Sequence, residues 1–360
     1  MTATKLLITC PSLSDRTGLE VFVCEISEEL VRRKWDVTVY APTWGVLAQE
    51  LQARGVHVIN DIRHARKPDI IHGTFYFETL IACDAFPDAP MVFQTHAALI
   101  WMSLPPKCPS LRAVLSVDDA CTQSIREAGI DAFDVITTLN FADTDKFTPR
   151  DALPMVPKKA LVFSNYAEHE TYPAILKQKC ASFGIDMDVA GLGTGTHTDA
   201  PHELLRSYDI VFAKGRCAIE AIAVGCAVIP CDQRGVGPLV RSSNFDELRR
   251  LNFGWRTHTM PHDSDFLDEQ IRAYDPADAS LVQSRMRAEG SMRKAIEQLE
   301  EIYRRILSAE PAPPAYSRDD LMKDVGVRLA QEAVQAGRYA PLGRAALLLD
   351  HLVRKGGASP

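Results

Sequence analysis

The segment "YDIVFAKGRCAIEAIAVGCAVIPCD", residues 208–232, holds the pattern that decides the fold. An apolar run at 209–213 precedes a helix-like stretch of small apolar residues, and a second apolar run follows at 227–231. This order predicts two parallel strands joined by a crossover helix, which is the repeating unit of a parallel sheet covered on both faces.

The same alternation runs through most of the chain. The predicted strands lie at 5–10, 36–40, 69–72, 91–95, 113–117, 133–138, 160–163, 186–190, 209–213 and 227–231. Helical patterns such as 18–33 and 44–54 separate them. The series predicts an α/β protein with two doubly wound, Rossmann-like domains facing a cleft, plus a C-terminal helical tail.

Proline-rich segments place the predicted boundaries. The segment at 147–159 contains three prolines and is interpreted as the domain connection. Met292, Ile296, Leu299, Tyr303 and Leu307 recur at helical spacing, which predicts a long amphipathic helix ending near residue 308. The predicted domains are therefore 1–150 and 151–308, followed by a linker at 309–316 and a tail at 317–360.

The tail is predicted to contain two helices. Ser317 and Asp320 form a capping pair at the start of the first helix. The apolar segment at 340–357 could dock on a membrane surface, but packing on the body of the protein or on a second subunit is favoured.

Composition excludes several classes of protein. The chain has 360 residues, 46% of them hydrophobic and 24% charged, and a net charge of −7, which argues against a nucleic-acid binder. No apolar stretch reaches the roughly 20 residues of a bilayer span. The first apolar run is interpreted as a strand rather than a signal peptide. Nine cysteines without a CxxC pair fit a reducing compartment, so we expect a cytoplasmic protein.

Lys214, Gly215 and Arg216 stand where the strand at 209–213 gives way to a helix. Cations are unfavourable at a helix N-terminus unless an anion binds there, so this arrangement predicts a phosphate-bearing ligand. Glu220 lies one turn into the helix and could accept both hydroxyls of a ribose. The alternative is an ordinary (i, i+4) ion pair between Arg216 and Glu220.

Other loops that follow strands supply weaker candidates. Gly18, in the loop that also contains Arg16, could let a ligand approach backbone amides, or it could simply form a tight turn. His96 directly follows the strand at 91–95 and could hydrogen-bond a sugar or an oxyanion. Gly191 begins "GLGTGT", which lacks the features of a dinucleotide fingerprint but could line a cleft.

Several segments together resemble a known enzyme family. They are "RTGLEVFVCEISEELVRRKWDVTVYAP", "GVLAQELQARGVHV", "KPDIIHG", "LNFADTDKFTPR" and "AIEAIAVGCAVI". Asn140, Asp143 and Phe147 match the family pattern Asn-x-x-Asp-x-x-x-Phe. From about residue 5 to residue 307, the chain resembles GT-B glycosyltransferases, most closely those of family 4.

The resemblance implies a retaining transferase that uses a nucleotide sugar. It implies that Glu220 binds the nucleotide ribose and that Gly215 opens the helix beside the diphosphate. It further implies that Gly18 and His96 face the transferred sugar. We expect a UDP- or GDP-sugar donor and a glycan or lipid-linked acceptor, in cell-surface polysaccharide or glycoconjugate synthesis.

Two positions depart from the family. Phe212 occupies the place of the first glutamate of the Glu-x7-Glu pair, which leaves the stereochemistry open. The arginine and lysine usual after the first strand of the second domain are replaced by "FSNYAEHE", with Ser164 and Asn165 and no cation before Lys177. We expect Lys214 and Arg216 to substitute for these cations, because either can bind phosphate.

The predicted site therefore comprises two groups of residues. His96, Lys214 and Arg216 are the catalytic candidates, and Arg16 joins His96 on the acceptor side. Gly18, Asn165, Gly191, Gly215 and Glu220 are the donor-binding candidates.

No metal or other cofactor is expected, since no Asp-x-Asp ends a strand. Contact with the inner face of the membrane and the oligomeric state stay open. The alternatives are a nucleotide-sugar epimerase of the same fold and a non-catalytic binding relative. An NAD-dependent oxidoreductase ranks last.

Overall fold

The apolar runs of the sequence form the strands of two large sheets in this computed structural model, which describes residues 3–168, 171–310 and 313–336. The chain divides into two compact units. The first unit comprises Met1–Val117, Cys121–Thr137 and Leu299–Pro360, and the second comprises Asp118–Ala120 and Thr138–Gln298.

The first unit contains a parallel sheet with the strand order of a dinucleotide-binding fold. Within the described residues of this unit, the strands are β1 Lys5–Thr9, β2 Ser12–Leu13, β3 Asp36–Tyr40, β4 Thr43–Trp44, β5 His57–Ile59, β6 Ile70–Gly73, β7 Met91–Thr95, β8 Leu111–Ser116 and β9 Val135–Thr137. The main sheet runs β5-β3-β1-β6-β7-β8-β9, and β2 pairs only with β4. Every residue of β7 is buried, as expected for a strand covered on both faces.

The second unit contains a smaller sheet. Its strands in the described chain are β10 Lys159–Phe163, β11 Asp186–Ala190, β12 Ile210–Ala213, β13 Ala227–Asp232 and β14 Gly235–Val236. The order is β11-β10-β12-β13-β14, and β14 alone among these pairings runs antiparallel to its neighbour. Leu161, Val211 and Val228 pack on one face, whereas Val162 and Phe212 pack on the other, so this sheet has an apolar core on each side.

Helices connect these strands. The α-helices of the described residues are α1 Gly18–Arg32, α2 Val46–Ala53, α3 Tyr76–Ala85, α4 Asp119–Glu127, α5 Tyr172–Ser182, α6 Pro201–Leu205, α7 Gly215–Val224, α8 Phe245–Arg250, α9 Asp265–Arg272, α10 Pro276–Glu289, α11 Met292–Ser308 and α12 Arg318–Ala336. Short 3₁₀ helices occur at Ile62–His64, Trp101–Ser103, Leu192–Thr194 and Trp255–Thr257. None of these α-helices is both long and apolar enough to cross a membrane.

The predicted strands all appear, with ends that differ by two residues or fewer. The prediction missed β2, β4, β5 and β14, because strands of two or three residues are too short to produce a recognisable alternation. The prediction of two doubly wound α/β units is confirmed.

The unit boundaries differ from the predicted domains, because the end of α11 packs in the first unit. Most of the predicted buried face of this helix is present, with Ile296, Leu299 and Tyr303 at most 2% exposed, but Leu307 is 37% exposed. The hydroxyl of Tyr303 hydrogen-bonds the Nδ1 atom of His72, and Trp35 donates its indole N–H to Glu300 over 2.8 Å. Residues from Leu299 onward therefore belong to the first unit rather than to a domain that ends at residue 308.

The start of the tail also packs in the first unit. Ser317 and Asp320 form the predicted capping pair, since Asp320 accepts from the backbone N–H of Ser317 at 2.9 Å and Ser317 Oγ accepts from that of Asp320 at 3.1 Å. In α12, Asp324 accepts a hydrogen bond of 2.8 Å from the Tyr76 hydroxyl. The segment at 340–357, for which membrane docking was an alternative, lies outside the described residues.

The Glu300 carboxylate predicts a pH dependence of stability. Burial raises the pKa of Glu300. Hydrogen bonds from Trp35 and Arg33 and the charge of Arg304 lower it by more than burial raises it, so the pKa lies below its usual value. Glu300 therefore stabilises the fold above its unfolded pKa of about 4.3, and this contribution is lost as pH falls through the lower, folded pKa. We expect the difference in Tm between wild type and Glu300→Gln to be largest above about pH 5 and to shrink below about pH 4.

Thermal unfolding followed by circular dichroism across this pH range measures the difference. Glu301→Gln is the matched control, because Glu301 is the next residue of the helix and is exposed. A Glu300→Gln difference that stays constant with pH would contradict the assignment.

Candidate functional site

The loops that follow β10 and β12 define the candidate site of the second unit. The strand order of this sheet reverses between β10 and β12. In open parallel sheets, ligands bind at the carboxyl ends of the strands beside such a reversal. Asn165 follows β10, whereas Lys214 and Gly215 follow β12, so the sheet brings these predicted residues to one edge.

Gly191 and Asn165 are brought together by close packing of two loops. A Cβ on Gly191 would lie 1.9 Å from the carbonyl oxygen of Ser164, so only glycine fits there. The side chain of Asn165 accepts a hydrogen bond of 3.3 Å from the N–H of Leu192, and its carbonyl accepts one of 3.0 Å from Gly193. The glycine loop therefore braces the loop after β10, which gives both residues a structural role.

Gly215 is required by backbone conformation. It is the first residue of α7 and has φ of +54°, in the left-handed region that side chains with a Cβ seldom adopt. A Cβ there would meet only the side-chain amide of Asn252, at 3.8 Å. The first turn of α7 thus has no side chain at its opening residue, and an anion could approach the backbone there.

Arg216 and Glu220 form the ion pair that was the structural alternative. Arg216 Nε lies 3.0 Å from Glu220 Oε1, and the two side chains are only 11% and 10% exposed. The guanidinium also lies 5.5 Å from the ring centroid of Phe141, in a cation–π contact. Glu220 is therefore a buried carboxylate held in place by Arg216, which fixes the direction of its remaining lone pairs.

Lys214 is anchored differently, through a residue that the sequence analysis missed. Its Nζ lies 2.7 Å from Oδ2 of Asp232 at the end of β13, and 5.7 Å from the ring centroid of Tyr166. The Lys214 side chain is 30% exposed, compared with 1% for Asp232. One N–H of the ammonium thus points at a buried carboxylate, and the group keeps contact with solvent.

Asp232 receives several donors besides Lys214. Its Oδ1 accepts the backbone N–H of Arg234 at 2.9 Å and lies 3.0 Å from Nδ1 of His258. Burial raises the pKa of Asp232, but His258, Lys214 and the Arg234 amide lower it more, so the carboxyl is charged at any ordinary pH. The sequence signal was an acid that directly ends a strand, in "CDQRG".

The structure describes the positions of the two departures from the family pattern, Phe212 and the absence of a cation before Lys177. Phe212 is 1% exposed and lies within β12, in the core on one face of the sheet, so it cannot contact a ligand from there. Lys177 lines a cavity of about 400 Å³ between α5 and β11 that none of the predicted site residues lines. Lys177 therefore does not take the place of the family's cations. Lys214 and Arg216 flank Gly215, the residue that opens α7.

The family motif at 140–147 builds a turn. Oδ1 of Asp143 accepts the backbone N–H groups of Asp145 and Lys146, at 3.0 and 3.2 Å. Phe147 is 2% exposed in the core of the second unit, and the carbonyl of Asn140 accepts a hydrogen bond from Arg249. The contacts described for these residues fold this connection.

In the first unit, Arg16 and Gly18 follow β1, where the order of the main sheet reverses. Arg16 donates two hydrogen bonds, of 2.6 and 2.7 Å, to the carboxylate of Glu50. Gly18 opens α1, and nothing lies within 4 Å of a Cβ built on it. The protein itself therefore does not require glycine at residue 18, in contrast to residue 191.

His96 has an environment that keeps it neutral. Burial lowers its pKa, and His72 lowers it further, to about 3. The ring packs edge-on against Phe22, with centroids 4.5 Å apart, and the backbone N–H of His96 donates to Ser103 Oγ at 3.0 Å. Such an imidazole can donate one hydrogen bond or accept one, but it does not act as a cation.

His72, which the sequence analysis interpreted as structural, is fully buried. Its ring is hydrogen-bonded to the Tyr303 hydroxyl, and burial lowers the pKa of His72 to about 4. Over the described part of the chain, no group of three or more His, Cys, Asp or Glu side chains could hold a metal ion.

Residues 16–146 match the family model described as Glycosyltransferase Family 4. The match spans most of the main sheet of the first unit, but less than half of the chain. No curated protein matches the sequence significantly.

Solved glycosyltransferases share the fold over most of the chain. A glycosyltransferase from Rickettsia africae ESF-5 is 13% identical with a TM-score of 0.61, covering 86% of this chain and 100% of that one. Anabaena HepE in complex with UDP and glucose is 15% identical with a TM-score of 0.60, covering 84% and 99%. Sucrose-phosphate synthase from Thermosynechococcus elongatus is 13% identical with a TM-score of 0.58, covering 85% and 100%.

The matching family and these structural neighbours are glycosyltransferases of the GT-B fold. The predicted fold class and the resemblance to family 4 are thereby confirmed.

The contrast between two glycines gives a stability prediction. We expect Gly191→Ala to destabilise the protein by about 1–3 kcal/mol, because its Cβ would overlap the Ser164 carbonyl. Gly18→Ala should change stability by less than about 0.5 kcal/mol, because its Cβ would meet open space. Urea denaturation of both variants measures the two values. Equal effects would contradict the packing described for the glycine loop.

Proposed function

We propose that the chain is a glycosyltransferase that transfers a sugar from a nucleotide-sugar donor to a glycan or lipid-linked acceptor, with retention of configuration. The observation that carries the proposal is the opening of α7, where Gly215, the anchored Lys214 and the buried Glu220 stand together beside the strand reversal. Cation, helix amides and carboxylate are the groups that bind phosphate and ribose.

Lys214 and the first amides of α7 would bind the diphosphate of the donor. The ammonium is fixed by Asp232, so little side-chain entropy is lost when an anion binds, and its remaining N–H groups can donate. As the glycosidic bond breaks, negative charge grows on the leaving diphosphate. A fixed cation and fixed amides stabilise this charge more in the transition state than in the ground state.

Arg216 and Glu220 would act as a unit. Glu220 accepts the ribose hydroxyls, and Arg216 holds the Glu220 side chain in place and adds positive charge near the diphosphate. Asn165 and Gly191 would complete the donor side by shaping the loops beside it, since their hydrogen bonds fix those loops.

In the first unit, neutral His96 would hydrogen-bond a hydroxyl of the transferred sugar or a developing oxyanion. Gly18 would leave room for the sugar at the first turn of α1. Arg16, held by Glu50, would lie on the acceptor side. A neutral imidazole suits this role because it adds no repulsive charge near an electron-poor anomeric carbon.

The donor base and the setting of the reaction follow by analogy. HepE binds UDP and glucose, which supports a UDP-sugar for this chain, with a GDP-sugar as the second choice. We place the reaction in cell-surface polysaccharide or glycoconjugate synthesis, in the cytoplasm or at the inner face of the membrane. The proposal requires no metal or other cofactor.

One observation favours a second function, a non-catalytic nucleotide- or sugar-binding relative. Phe212, which replaces the first glutamate of the family pair, is buried in the sheet, so the contact that this glutamate makes must be absent or made by another group. The epimerase alternative has no comparable observation in its favour.

Two substitutions separate the ribose and diphosphate contacts. We expect UDP or GDP to raise the Tm of the wild type, and calorimetry to give the affinities. Glu220→Gln should weaken binding of the nucleoside and of the nucleoside diphosphate alike, roughly tenfold, because a charged acceptor is lost. Lys214→Met should weaken only the nucleoside diphosphate, also roughly tenfold.

Glu297→Gln is the control for this series, because Glu297 is exposed in the same unit. Unchanged diphosphate affinity in a Lys214→Met, Arg216→Met double variant would rule out the proposed cation site. No shift with UDP, GDP, ADP, TDP, CMP or their sugars would leave the transferase proposal without its donor site.

His96 gives a separate test of catalysis. Because its pKa is about 3, the imidazole stays neutral from pH 5 to pH 8, and no ionisation of His96 should appear in the pH profile of kcat/KM. We expect His96→Gln to lower sugar transfer roughly 100-fold while nucleotide affinity is unchanged. Donor consumption and product formation are followed by chromatography. Binding without any transfer or donor hydrolysis in the wild type would favour the non-catalytic relative.

A further inference from the structure

Two cysteines meet in the core of the first unit. Cys83 in α3 and Cys108, shortly before β8, place their Sγ atoms 3.4 Å apart, with Cys108 as the donor. The residues are 5% and 1% exposed and belong to one apolar cluster. Cys108 Sγ also lies 3.3 Å from the hydroxyl of Ser110. Both thiols are free.

The two sulfur atoms are already in direct contact. A disulfide has an S–S distance of about 2.05 Å, so each sulfur would move by less than about 1 Å toward the other. Cys180, in the second unit, is a buried thiol for comparison with the Cys83–Cys108 pair. Its thiol is fully buried and free, and burial is what raises its pKa, to about 12.

The surroundings of the pair make the two thiols unequal. The largest effect on the pKa of Cys108 is a lowering by the Cys83 thiol. Burial raises this pKa and the Ser110 hydroxyl lowers it, so that the net pKa is lowered. The pKa of Cys83 is raised, first by its contact with Cys108 and then by burial. The Ser110 hydroxyl, 3.3 Å from Cys108 Sγ, can donate to a thiolate at Cys108, and thiolates are the form that oxidants attack.

We propose that Cys83 and Cys108 form a reversible dithiol–disulfide site that hydrogen peroxide oxidises. The Cys108 thiolate attacks one oxygen of peroxide, the O–O bond breaks, and hydroxide leaves, which gives a sulfenic acid. The sulfur of Cys83 loses its proton and attacks Cys108 Sγ, which expels a second hydroxide. The two hydroxides take up the two thiol protons, so one peroxide yields one disulfide and two waters.

The cross-link would join α3 covalently to the segment that precedes β8. Cys83 and Cys108 are 25 positions apart, and α3 begins shortly after β6, next to the strand reversal. Beside Cys108, the N–H of Lys107 donates to Asp324 of α12 at 3.3 Å, so the bond would also fix the segment on which α12 packs. This inference does not depend on the proposed transferase activity.

The full-length reduced protein, treated with a few equivalents of hydrogen peroxide and then with N-ethylmaleimide, tests the proposal. Before the N-ethylmaleimide step, we expect the protein to have lost the mass of two hydrogen atoms. A non-reducing peptide map should link the peptides of Cys83 and Cys108, and dithiothreitol should reverse the link. Because the bond closes a loop of this length, the Tm of the oxidised protein should rise by roughly 5–10 °C.

Cysteine variants control the assignment. Cys108→Ala and Cys83→Ala should each abolish the cross-link, whereas Cys180→Ala should leave it intact. A stable sulfinic acid at Cys108, a cross-link between other cysteines, or unmodified thiols after treatment would each overturn the proposal. The peptide map of the wild type decides the outcome even if a variant fails to fold.

Discussion

The parallel register of β10, β12 and β13 is the constraint on which the candidate site of the second unit depends. Val162 pairs with Phe212, and Phe212 pairs with Ile229, so the carboxyl ends of the three strands lie at one edge of the sheet. β13 continues past the end of β12 to Asp232, since Ala213 pairs with Pro230. Shortly after these residues, the chain delivers Ser164, Lys214 and Asp232 to one edge. The ion pair between Lys214 and Asp232 is thus a consequence of strand pairing, and the apolar cores on both faces of the sheet maintain that pairing.

Features that depend on local sequence could be predicted, and features that depend on register could not. The strands follow from short apolar runs, and the Arg216–Glu220 pair follows from helical spacing. Asp232 was missed because its partners, Lys214 and His258, come from other elements and are set by the fold. The boundary at Leu299 was also missed, since it rests on contacts of Tyr303 and Glu300 with residues more than 200 positions earlier.

The two cations at the opening of α7 illustrate how burial assigns different tasks to similar residues. Arg216 is nearly enclosed, and its planar guanidinium satisfies a buried carboxylate and an aromatic face together. Lys214 has a compact charge on a flexible stem, and a buried acid restrains it while solvent still reaches it. A site with one cation for internal support and one directed outward can bind an anion without leaving Glu220 uncompensated.

The discontinuity of the first unit has a consequence for how the chain folds during synthesis. Trp35, His72 and Tyr76 emerge from the ribosome early, but their partners Glu300, Tyr303 and Asp324 are the last described parts of the chain to be made. Until then, the interior groups of Trp35, His72 and Tyr76 lack these three partners, so the nascent first sheet can collapse but cannot complete its packing. The second unit is contiguous from Thr138 to Gln298 apart from Asp118–Ala120, which are made earlier, so it can mature first. The second unit would thus become native before the first, although most of the first unit is synthesised earlier.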